Sequence, residues 1–407
     1  MPNRKARGQK RVSPEESEDS ELDKILYGDS SDEESSCDEV SESQEEESED
    51  CEPEEEHCVG GYANIDIGQK VGKYEILSKL GWGYFSTVWL TEKPINAKRP
   101  STDASPVYLA LKVVKSKKTY SRMAEDEIEI FRRISRVAPR GHSNVVRLVD
   151  HFTYKDKNGL HRCLVFPCQG PNLYRLLREE YRDGLPLDVV KRIGRQLLQA
   201  LEFLHTRCNM IHTDLKPENM LLSYDSIPGN PETWRVILAD LGNVDEPKHS
   251  QTSYDTVQTR HYRAPEVILK HGFSYPADIW STGCLFFELA TGEVLFEPDS
   301  DKEAKQPFKK SEDHMALIIT LIGPVPMSFL NRNKNTMNFF FKKNNSLRCG
   351  RVQEHVPIHE RLVNEFNWDL HDAEPFGKFL TSQLAWIPNK RTTASQLLQH
   401  QWLTIQL

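Results

Sequence analysis

The sequence lacks any run of about 18 consecutive apolar residues, the length that a membrane-spanning helix needs. Its start, MPNRKARGQKR, also lacks the apolar core of a secretory signal. We therefore expect neither membrane association nor secretion. Cysteine is scarce as well. The eight cysteines are scattered over 407 residues, which favours free thiols in a reducing compartment over a disulfide framework.

Positive charge and aromatic side chains are nearly absent from residues 12–58, which carry 22 acidic residues and one Lys. Such a tract cannot bury enough apolar surface to offset the entropy of ordering, so residues 1–58 are predicted to be disordered. The basic residues 1–11 fit a nuclear-import or nucleic-acid patch, and fit a solvated tail equally well. Residues 59–407 carry a net charge of +7 but show no interleaving of aromatic and basic residues, so we expect no direct nucleic-acid binding.

A globular pattern begins near residue 62. Strands are predicted on both sides of the turn sequence GWGYFS. In the next predicted strand, VYLALKVVK, Ala110 and Lys112 alternate with leucines and should share one face. The pattern also predicts a helix over 121–134, strands over 145–153 and 161–166, and an exposed loop over 93–106.

Helical periodicity takes over after residue 172. One face of a predicted helix, with Asp188 as its possible N-cap, carries Val189, Ile193, Leu197, Leu201 and Leu204. We predict an α+β fold with a cleft between two lobes, the usual place for a ligand. Because both lobes are represented, a monomer is expected. The predicted divisions are a lead-in at 59–73, a strand-rich lobe at 74–166, a linker at 167–172, and a helical lobe at 173–407 with an insert near 297–360.

The strongest chemical signal is HTDLKPEN followed by ADLGN. Phosphoryl transfer needs a triphosphate held in place, its charge neutralised by metal, and a hydroxyl aimed in line. Asp214 is the candidate base, and Lys216 would lie against the transferring phosphate. Asn219 and Asp240 would hold Mg²⁺, because hard cations prefer carboxylate and amide oxygens.

Weaker signals support the same chemistry. Gly81 and Gly83 allow a backbone to approach phosphates closely, although a plain hairpin turn is the alternative. Lys112 can point into the cleft and pair with Glu127 from the predicted helix, with Glu125 and Glu129 as alternative partners. Further on, Glu266 in TRHYRAPE and the distant Arg391 are predicted to form a buried, structural ion pair.

Together these motifs resemble a eukaryotic protein kinase domain over residues 72–407. More narrowly, the sequence is similar to the SR-protein kinases, which phosphorylate serines in the Arg-Ser repeats of splicing factors. The strings that carry this similarity are GGY (60–62), LGWGYFSTVWL, LALKVVKS, IHTDLKPENMLL, ADLGN, QTRHYR, PADIWSTGCLFFELATGEVLFEP, EDHMALIITLIG and HQWL. CDC-like dual-specificity kinases share HTDLKPEN and TRHYRAPEVIL, so they remain an alternative.

The resemblance implies a bilobal kinase fold, ATP and Mg²⁺ as ligands, Arg-Ser-rich protein partners, a role in mRNA splicing, and a location in both cytoplasm and nucleus. The backbone of residues 167–169 would bind adenine, through the carbonyl of Pro167 and the N–H of Gln169. Arg260 and Arg263 would shape the substrate site. The implied nucleotide pocket is lined by Leu80, Gly81, Trp82, Gly83, Tyr84, Phe85, Ser86, Val88, Ala110, Lys112, Phe166, Cys168 and Leu222.

One departure from most kinases concerns control. Thr213 stands before Asp214, where an arginine usually clamps a phosphate on the activation segment. The SR-protein kinases share this Thr and are regarded as active without such phosphorylation. We therefore predict constitutive activity, with residues 240–266 ordered by their own packing. The alternative, a dead enzyme acting as an ATP-binding scaffold for Arg-Ser proteins, is opposed by the intact set of Lys112, Asp214, Asn219 and Asp240.

Two other departures concern the substrate groove and the insert. The acidic docking groove of the family would use Glu312 and Asp313 here, but Thr320 takes a place where an acid is expected. Groove binding should therefore be weakened or rearranged. The long insert that many family members carry before DLG is reduced to residues 220–239, so regulation through it is not expected.

Overall fold

A computed structural model describes 52–92, 108–142, 144–226, 229–247, 254, 257–300, 309–330, 336–340, 346–348 and 350–404. The predicted loop at 93–106 lies outside these residues. The first lobe is a six-stranded antiparallel sheet in the order β1-β2-β3-β4-β6-β5. Its strands are β1 (Lys70–Val71), β2 (Tyr74–Gly83), β3 (Ser86–Glu92), β4 (Tyr108–Val114), β5 (Asp150–Asp156) and β6 (Gly159–Pro167).

The predicted alternation in β4 is confirmed. Leu109 and Leu111 are buried in the core of the sheet, whereas Ala110 and Lys112 lie on the other face and are only half-buried. Lys112 is paired with Val88 of β3 across the sheet. The register therefore places Lys112 beside the hairpin of β2 and β3.

One expected strand begins later than predicted. The segment 145–148 does not join the sheet, because its first residues pair with the other lobe, whereas the N–H of Val149 already donates to the Val165 carbonyl of β6 at 2.8 Å. Val145 forms a single parallel bridge with Leu238, and the N–H of Val146 donates to the Leu238 carbonyl at 2.9 Å. The predicted strand at 161–166 lies within β6.

The predicted disordered segment extends too far, because residues 52–58 are folded. Residues Glu54–Glu56 form a 3₁₀ turn, and Glu52 is buried in ion pairs with Lys79 and His57. Glu56 forms an ion pair with Lys115 at the end of β4. Local charge pairing with the sheet thus orders these residues although their composition is acidic.

Helix α1 (Lys118–Val137) packs against the sheet and covers the predicted 121–134. The second lobe is largely helical, around one large apolar core. Its described helices are α2 (Leu173–Glu179), α3 (Leu187–Glu202), α4 (Pro265–Ile268), α5 (Pro276–Thr291), α6 (Lys310–Ile322), α7 (Met327–Leu330), α8 (Thr336–Phe339), α9 (Ile358–Phe366), α10 (Leu370–Thr381), α11 (Ala394–Leu397) and α12 (Gln401–Thr404), with a π-helical turn at Phe203–Cys208 and a hairpin of β7 (Met220–Leu222) and β8 (Val236–Leu238).

The predicted apolar face is confirmed, since all five of its residues are buried, four in α3 and Leu204 in the π-helical turn that follows it. Asp188, however, is not the N-cap. Pro186 occupies that position, and Asp188 lies in the first helical turn. A carboxylate there still interacts favourably with the positive end of the helix dipole.

Helix α5 runs through the centre of the second lobe and is buried on all sides, as expected for a helix whose apolar residues surround its axis. Close to it lies the predicted ion pair. Arg391 donates from Nη1 and Nη2 to the two oxygens of Glu266, at 2.6 and 2.7 Å, and both side chains are fully buried. Within the described residues, no helix combines the length and apolar character needed to cross a membrane.

Candidate active site

Asp214 lies at the centre of a buried polar cluster. Its Oδ1 accepts a hydrogen bond from Thr259 Oγ1 at 2.6 Å, and its Oδ2 accepts one from Asn219 Nδ2 at 3.2 Å. Lys216 Nζ lies 3.3 Å from Asp214 Oδ2 and donates to Thr259 Oγ1 at 3.1 Å. The structure thus brings together three residues predicted for the reaction, and Thr259 joins them.

Two opposing effects set the charge of Asp214. Burial raises the pKa of its carboxyl, but the nearby Lys216 charge and the hydrogen bond from Thr259 outweigh burial and hold that pKa below its usual value. Burial lowers the pKa of Lys216, and the charges of Asp214 and Glu218 reverse this, so the Lys216 pKa is raised. At neutral pH the pair is therefore ionised.

The segment HTDLKPEN, residues 212–219, is the candidate catalytic loop, and it is held in place by Asp278 of α5, which is completely buried. Asp278 accepts the backbone N–H groups of His212 and Thr213, at 2.8 and 2.9 Å. His205 Nε2 lies 2.8 Å from the same carboxylate. His212 Nε2 in turn lies 3.0 Å from the carbonyl of Ala239. These contacts fix the backbone that carries Asp214.

Thr213 is buried and has a left-handed backbone, with φ of 69°. Its hydroxyl donates to the carbonyl of Asn243 at 2.7 Å, and its own carbonyl accepts the N–H of Gln258 at 2.8 Å. The residue that replaces the usual arginine therefore joins the catalytic loop to both ends of the activation segment through uncharged hydrogen bonds.

The two predicted metal residues lie at one end of the hairpin formed by β7 and β8. Asn219 immediately precedes β7, and the N–H of Ala239, next to Asp240, donates to the Asn219 carbonyl at 2.9 Å. The Asn219 side-chain nitrogen also donates to the Asp214 backbone carbonyl at 2.8 Å, so the side-chain oxygen is the atom that would bind a metal. Within the described residues, no three His, Cys, Asp or Glu side chains are grouped as metal ligands. One amide oxygen and one carboxylate are a donor set that fits Mg²⁺, which proteins commonly bind through one or two carboxylates together with substrate phosphates.

Lys112 pairs with Glu127 of α1, not with the alternatives that the sequence left open. Its Nζ lies 3.2 and 2.9 Å from the two Glu127 oxygens and 3.9 Å from Asp240 Oδ1. Burial lowers the pKa of Lys112, but Glu127 and Asp240 reverse this and raise it. Glu125 and Glu129 instead pair with arginines, Arg162 and Arg136 respectively.

The glycine-rich turn connects β2 to β3 and exposes its aromatic side chains. Gly83 is paired with Ser86, and Gly81 with Val88. An added Cβ on Gly81 or Gly83 would meet no atom within 4 Å, so the glycines leave one side of the turn open. Four predicted pocket residues on this hairpin are substantially exposed, namely Leu80, Trp82, Tyr84 and Phe85.

A residue from the lead-in holds this turn in place. Tyr62 is buried, donates its hydroxyl to the Gly83 carbonyl at 2.9 Å, and lies edge-on to Trp82. Lys115 Nζ lies 4.2 Å from the Tyr62 ring centroid and 4.7 Å from that of Tyr84. Burial, together with Glu56, raises the pKa of Tyr62 to about 12, so its hydroxyl remains a donor.

The predicted adenine slot is assembled from both lobes. Ala110 is paired with Phe166, whose ring lies 5.5 Å from Phe131 of α1, and Leu222 lies on β7 and is fully buried. The linker carbonyl already has one partner within the chain. Gln169 Nε2 donates to the Pro167 carbonyl at 3.3 Å, so an adenine that uses this carbonyl would share it with the Gln169 side chain.

The linker backbone is engaged as well, because the N–H of Cys168 donates to the Tyr108 carbonyl at 3.2 Å. Cys168 itself is a half-buried free thiol, and burial raises its pKa. Its predicted contribution to the pocket therefore comes from the surface of its side chain.

Comparison with known proteins identifies the chain. The protein kinase domain family matches residues 74–403. The serine/threonine-protein kinase SRPK of Physarum polycephalum is 33% identical over 398 residues, covering 86% of this chain and 90% of the relative. The chain belongs to the SR-protein kinase family of Ser/Thr protein kinases.

More distant members of the family are longer. SRSF protein kinase 3 of Mus musculus is 27% identical over 521 aligned residues, covering 86% of this chain and 89% of the relative. The probable serine/threonine-protein kinase sky1 of Dictyostelium discoideum is 26% identical over 539 residues, covering 84% and 81%. Both alignments exceed the 407 residues of this kinase, so they open gaps in its chain.

Sequence reasoning missed three groups that shape the site of this kinase, namely Thr259, Asp278 and Gln258. Gln258 is buried, has φ of 62°, and donates from Nε2 to the Ala277 carbonyl at 2.9 Å and to Ser281 Oγ at 2.8 Å. The strings QTRHYR and PADIW contain all three groups, but only the fold shows that they converge on the catalytic loop.

The residues predicted to receive substrate contact other residues of the chain. Arg260 donates to Ser311 Oγ at 3.2 Å, and Arg263 donates to the Gln258 carbonyl at 2.9 Å. Asp313 is fully buried and bound by Arg351, while Glu312 accepts the backbone N–H of Lys309 at the start of α6. Both predicted docking acids are thus engaged within the chain.

Thr320 also serves the chain itself. Its hydroxyl donates to the Ala316 carbonyl at 3.0 Å and accepts the N–H of Gln353 at 3.0 Å. Glu312, Asp313 and Thr320 therefore all contribute contacts that fix α6 and the segment after it.

Proposed function

We propose that this kinase transfers the γ-phosphate of ATP to serines flanked by arginine, as in the Arg-Ser repeats of splicing factors, and thereby regulates mRNA splicing. We also propose that it does so without phosphorylation of its activation segment. Lys112, held by Glu127, binds the ATP phosphates, and Asp214 accepts the proton of the substrate hydroxyl. Lys216 stabilises charge on the transferred group.

Asn219 and Asp240 would hold Mg²⁺. When bound, the metal supplies neutralisation of phosphate charge. The chain itself supplies orientation. Thr259 and Asn219 fix the carboxylate of Asp214, and Asp278 fixes the loop that carries it, so the base needs no rearrangement at the moment of reaction.

One observation favours an arginine-containing substrate. Glu218 lies in the catalytic loop, and Glu288 lies on α5, where its carboxylate accepts the Tyr262 hydroxyl at 2.5 Å. Burial and the negative charge of Glu218 together raise the pKa of Glu288 to about 7, against the opposing effects of Tyr262 and Arg178. A guanidinium bound beside Glu288 would relieve this repulsion, because charge-assisted hydrogen bonds favour the ionised carboxylate.

Freedom from activation by phosphorylation is supported by the hydrogen bonds around Thr213. Thr213, Asn243 and Gln258 hold both described ends of the activation segment to the catalytic loop through uncharged hydrogen bonds. Residues 248–253 and 255–256 of this segment lie outside the described residues.

The proposal is tested with phosphatase-treated protein made in bacteria. Transfer from MgATP is measured to an Arg-Ser repeat peptide and to a matched Lys-Ser peptide. We expect rapid labelling of the Arg-Ser peptide alone, because a planar guanidinium forms paired hydrogen bonds that an ammonium does not. Equal labelling of both peptides would contradict the substrate assignment.

The scaffold alternative needs its own arm. ATP binding and Arg-Ser peptide binding are measured for the wild type and for Asp214→Asn. If the wild type binds both ligands but transfers no phosphate, and the substitution changes nothing, then a scaffold explains the protein better than an enzyme. Labelling of tyrosine in a mixed peptide would instead favour the CDC-like alternative.

A further inference from the structure

Helix α1 is connected to the activation segment by an ion pair. Arg133 Nη1 contacts Glu246 Oε1, three residues after the DLGN sequence ends. Both side chains are about one-third exposed, at 32% and 30%. The pair therefore joins α1 to the activation segment and is partly shielded from solvent.

This pair closes a ring of contacts around the catalytic loop. The residue before Glu246, Asp245, exchanges two backbone hydrogen bonds with Ile211, at 2.8 and 3.0 Å, just before the catalytic loop begins. On the other side, α1 packs on the π-helical turn that precedes the same loop, and His142 beyond the end of α1 stacks on Phe203 at 4.7 Å. Arg133 thus joins two elements that each already contact the catalytic loop.

The upper part of α1 carries Glu127, whose position depends on the same helix. A Cβ added to Gly242 of the DLGN sequence would lie 3.7 Å from Glu127 Oε2, so this carboxylate packs against the activation segment as well. Any rotation of α1 away from the second lobe would break both the contact at Gly242 and the pair at Arg133. It would also separate Glu127 from Lys112.

We propose that the Arg133–Glu246 pair positions α1 permanently, as a phosphate bound by arginine does in kinases that require activation. The inference rests on the proposed function above and names the charges responsible. In a phosphate clamp, the anion is added to the activation segment and the cation belongs to the body of the kinase. Here the anion is a carboxylate that the sequence encodes, and the cation comes from α1. No phosphate is then needed on the activation segment, so the residue before Asp214 need not be an arginine that binds one.

Neighbouring arginines provide the matched controls. Arg132 and Arg136 lie on the same helix and pair with Glu129 within it, at 3.6 and 2.9 Å. Neither of these pairs connects α1 to the second lobe. Arg136→Gln therefore removes a helix arginine and an ion pair without touching the proposed connection.

The experiment compares Arg133→Gln, Glu246→Gln, Arg136→Gln and the exchanged pair Arg133→Glu with Glu246→Arg, all phosphatase-treated. Two activities are measured: phosphate transfer to the Arg-Ser peptide and ATP hydrolysis without peptide. Hydrogen exchange over residues 118–137 reports the position of α1. We expect each single change to lower both rates about 5- to 10-fold and to speed exchange in α1, the exchanged pair to restore most of the loss, and Arg136→Gln to have no effect.

The inference is overturned if the single changes leave both rates and the exchange of α1 unaltered. It is equally overturned if the exchanged pair is as slow as the singles, because the effect would then not depend on the attraction between these two charges. Failure of the proposed function remains distinguishable. If the wild type hydrolyses ATP but does not label the Arg-Ser peptide, the substrate assignment fails, and the ATP hydrolysis rates still decide whether the pair positions α1.

Discussion

The catalytic loop and the glycine-rich turn were both predicted from short motifs, yet the structure builds them in opposite ways. Asp214 in the catalytic loop is buried and surrounded by Thr259, Lys216 and Asn219. The glycine-rich turn exposes Tyr84 and Phe85 and is attached through Tyr62. The comparison teaches that the groups proposed to act on the hydroxyl are buried and fixed by hydrogen bonds, whereas the side chains proposed to cover ATP are exposed on a turn that is held through Tyr62.

The largest effect is expected from a substitution in the buried cluster around Asp214. Asp214→Asn removes the base but keeps the shape of the side chain, so kcat should fall about 10²- to 10⁴-fold while ATP binding is retained. Steady-state transfer and ATP titration measure the two properties. The matched control is Asp225→Asn, an exposed carboxylate paired with Arg235, which should change neither. Comparable losses from both substitutions would contradict the assignment of Asp214.

A second substitution tests the buried ion pair between Glu266 and Arg391. Arg391→Met leaves Glu266 buried without its partner, and the free energy of unfolding should fall by about 3–5 kcal/mol. Chemical denaturation measures this. Lys378→Met, which breaks an exposed pair with Glu374, should cost less than about 1 kcal/mol. A double change of Arg391 and Glu266 to Met should recover part of the loss. No recovery would show that the pair is not the cause.

The proposed role of Glu288 in binding a substrate arginine is tested by substitution. Glu288→Gln should raise KM for the Arg-Ser peptide about tenfold, because a charge-assisted hydrogen bond becomes a neutral one. In the wild type, peptide affinity should rise as pH increases through about 7, where Glu288 ionises. The variant should lose this dependence. A peptide KM that stays constant from pH 6 to 8 in both proteins would remove Glu288 from substrate recognition.

Ionisation of Glu288 should favour peptide binding, but it should lower the free energy of unfolding. Because this pKa lies above that of an unfolded Glu, the free energy of unfolding contributed by Glu288 is fully present below the unfolded pKa and is lost as pH rises through about 7. Glu288→Gln should therefore be more stable than the wild type at pH 8 and should lose that advantage at pH 5. Thermal unfolding at the two pH values measures the difference.

A smaller effect on kcat is expected at Thr259, which also belongs to the buried cluster around Asp214. Thr259→Val removes a hydrogen bond that helps to hold the Asp214 pKa below its usual value, so that pKa should rise. A base with a raised pKa is protonated at higher pH, and the loss of kcat on acidification should begin at higher pH in the variant. Thr206→Val, which removes a hydroxyl bonded to the Glu202 carbonyl, is the control. Superimposable profiles would contradict this role of Thr259.

The smallest expected effect concerns the glycine-rich turn. Tyr62→Phe removes the hydroxyl bound to Gly83, so KM for ATP should rise about two- to fivefold with little change in kcat. Tyr154→Phe is the control, because the Tyr154 hydroxyl accepts from Gln69 at the far edge of the sheet. If kcat falls and KM for ATP does not change, then Tyr62 does not act through the glycine-rich turn.

Short-range patterns predicted most of the elements. Alternation in β4 and helical periodicity in α3 are properties of a few neighbouring residues, and both were read correctly. Residues 145–148 were misread as a strand of the sheet because Val145 and Val146 pair with Leu238 on the other lobe. Residues 52–58 were misread as disordered because their acidic composition hides pairing with Lys79 and Lys115.

The same distinction applies to the site. Asp214, Lys216 and Asn219 lie within six residues and were found from their spacing. Thr259, Asp278 and Glu246 are 32 to 64 residues away in sequence and depend on how the chain returns to the catalytic loop. A composition or a period carries no information about such returns, so only the family resemblance or the fold could supply them.

The most direct test of the account is the rate of a single preparation before and after removal of phosphate. Protein made in bacteria is treated with phosphatase, shown by mass spectrometry to carry no phosphate, and assayed with the Arg-Ser peptide and MgATP. We predict the same kcat as for the untreated protein, because Thr213, Gln258 and the Arg133–Glu246 pair order the site without phosphate. A treated enzyme that is inactive until its activation segment is phosphorylated again would contradict the account.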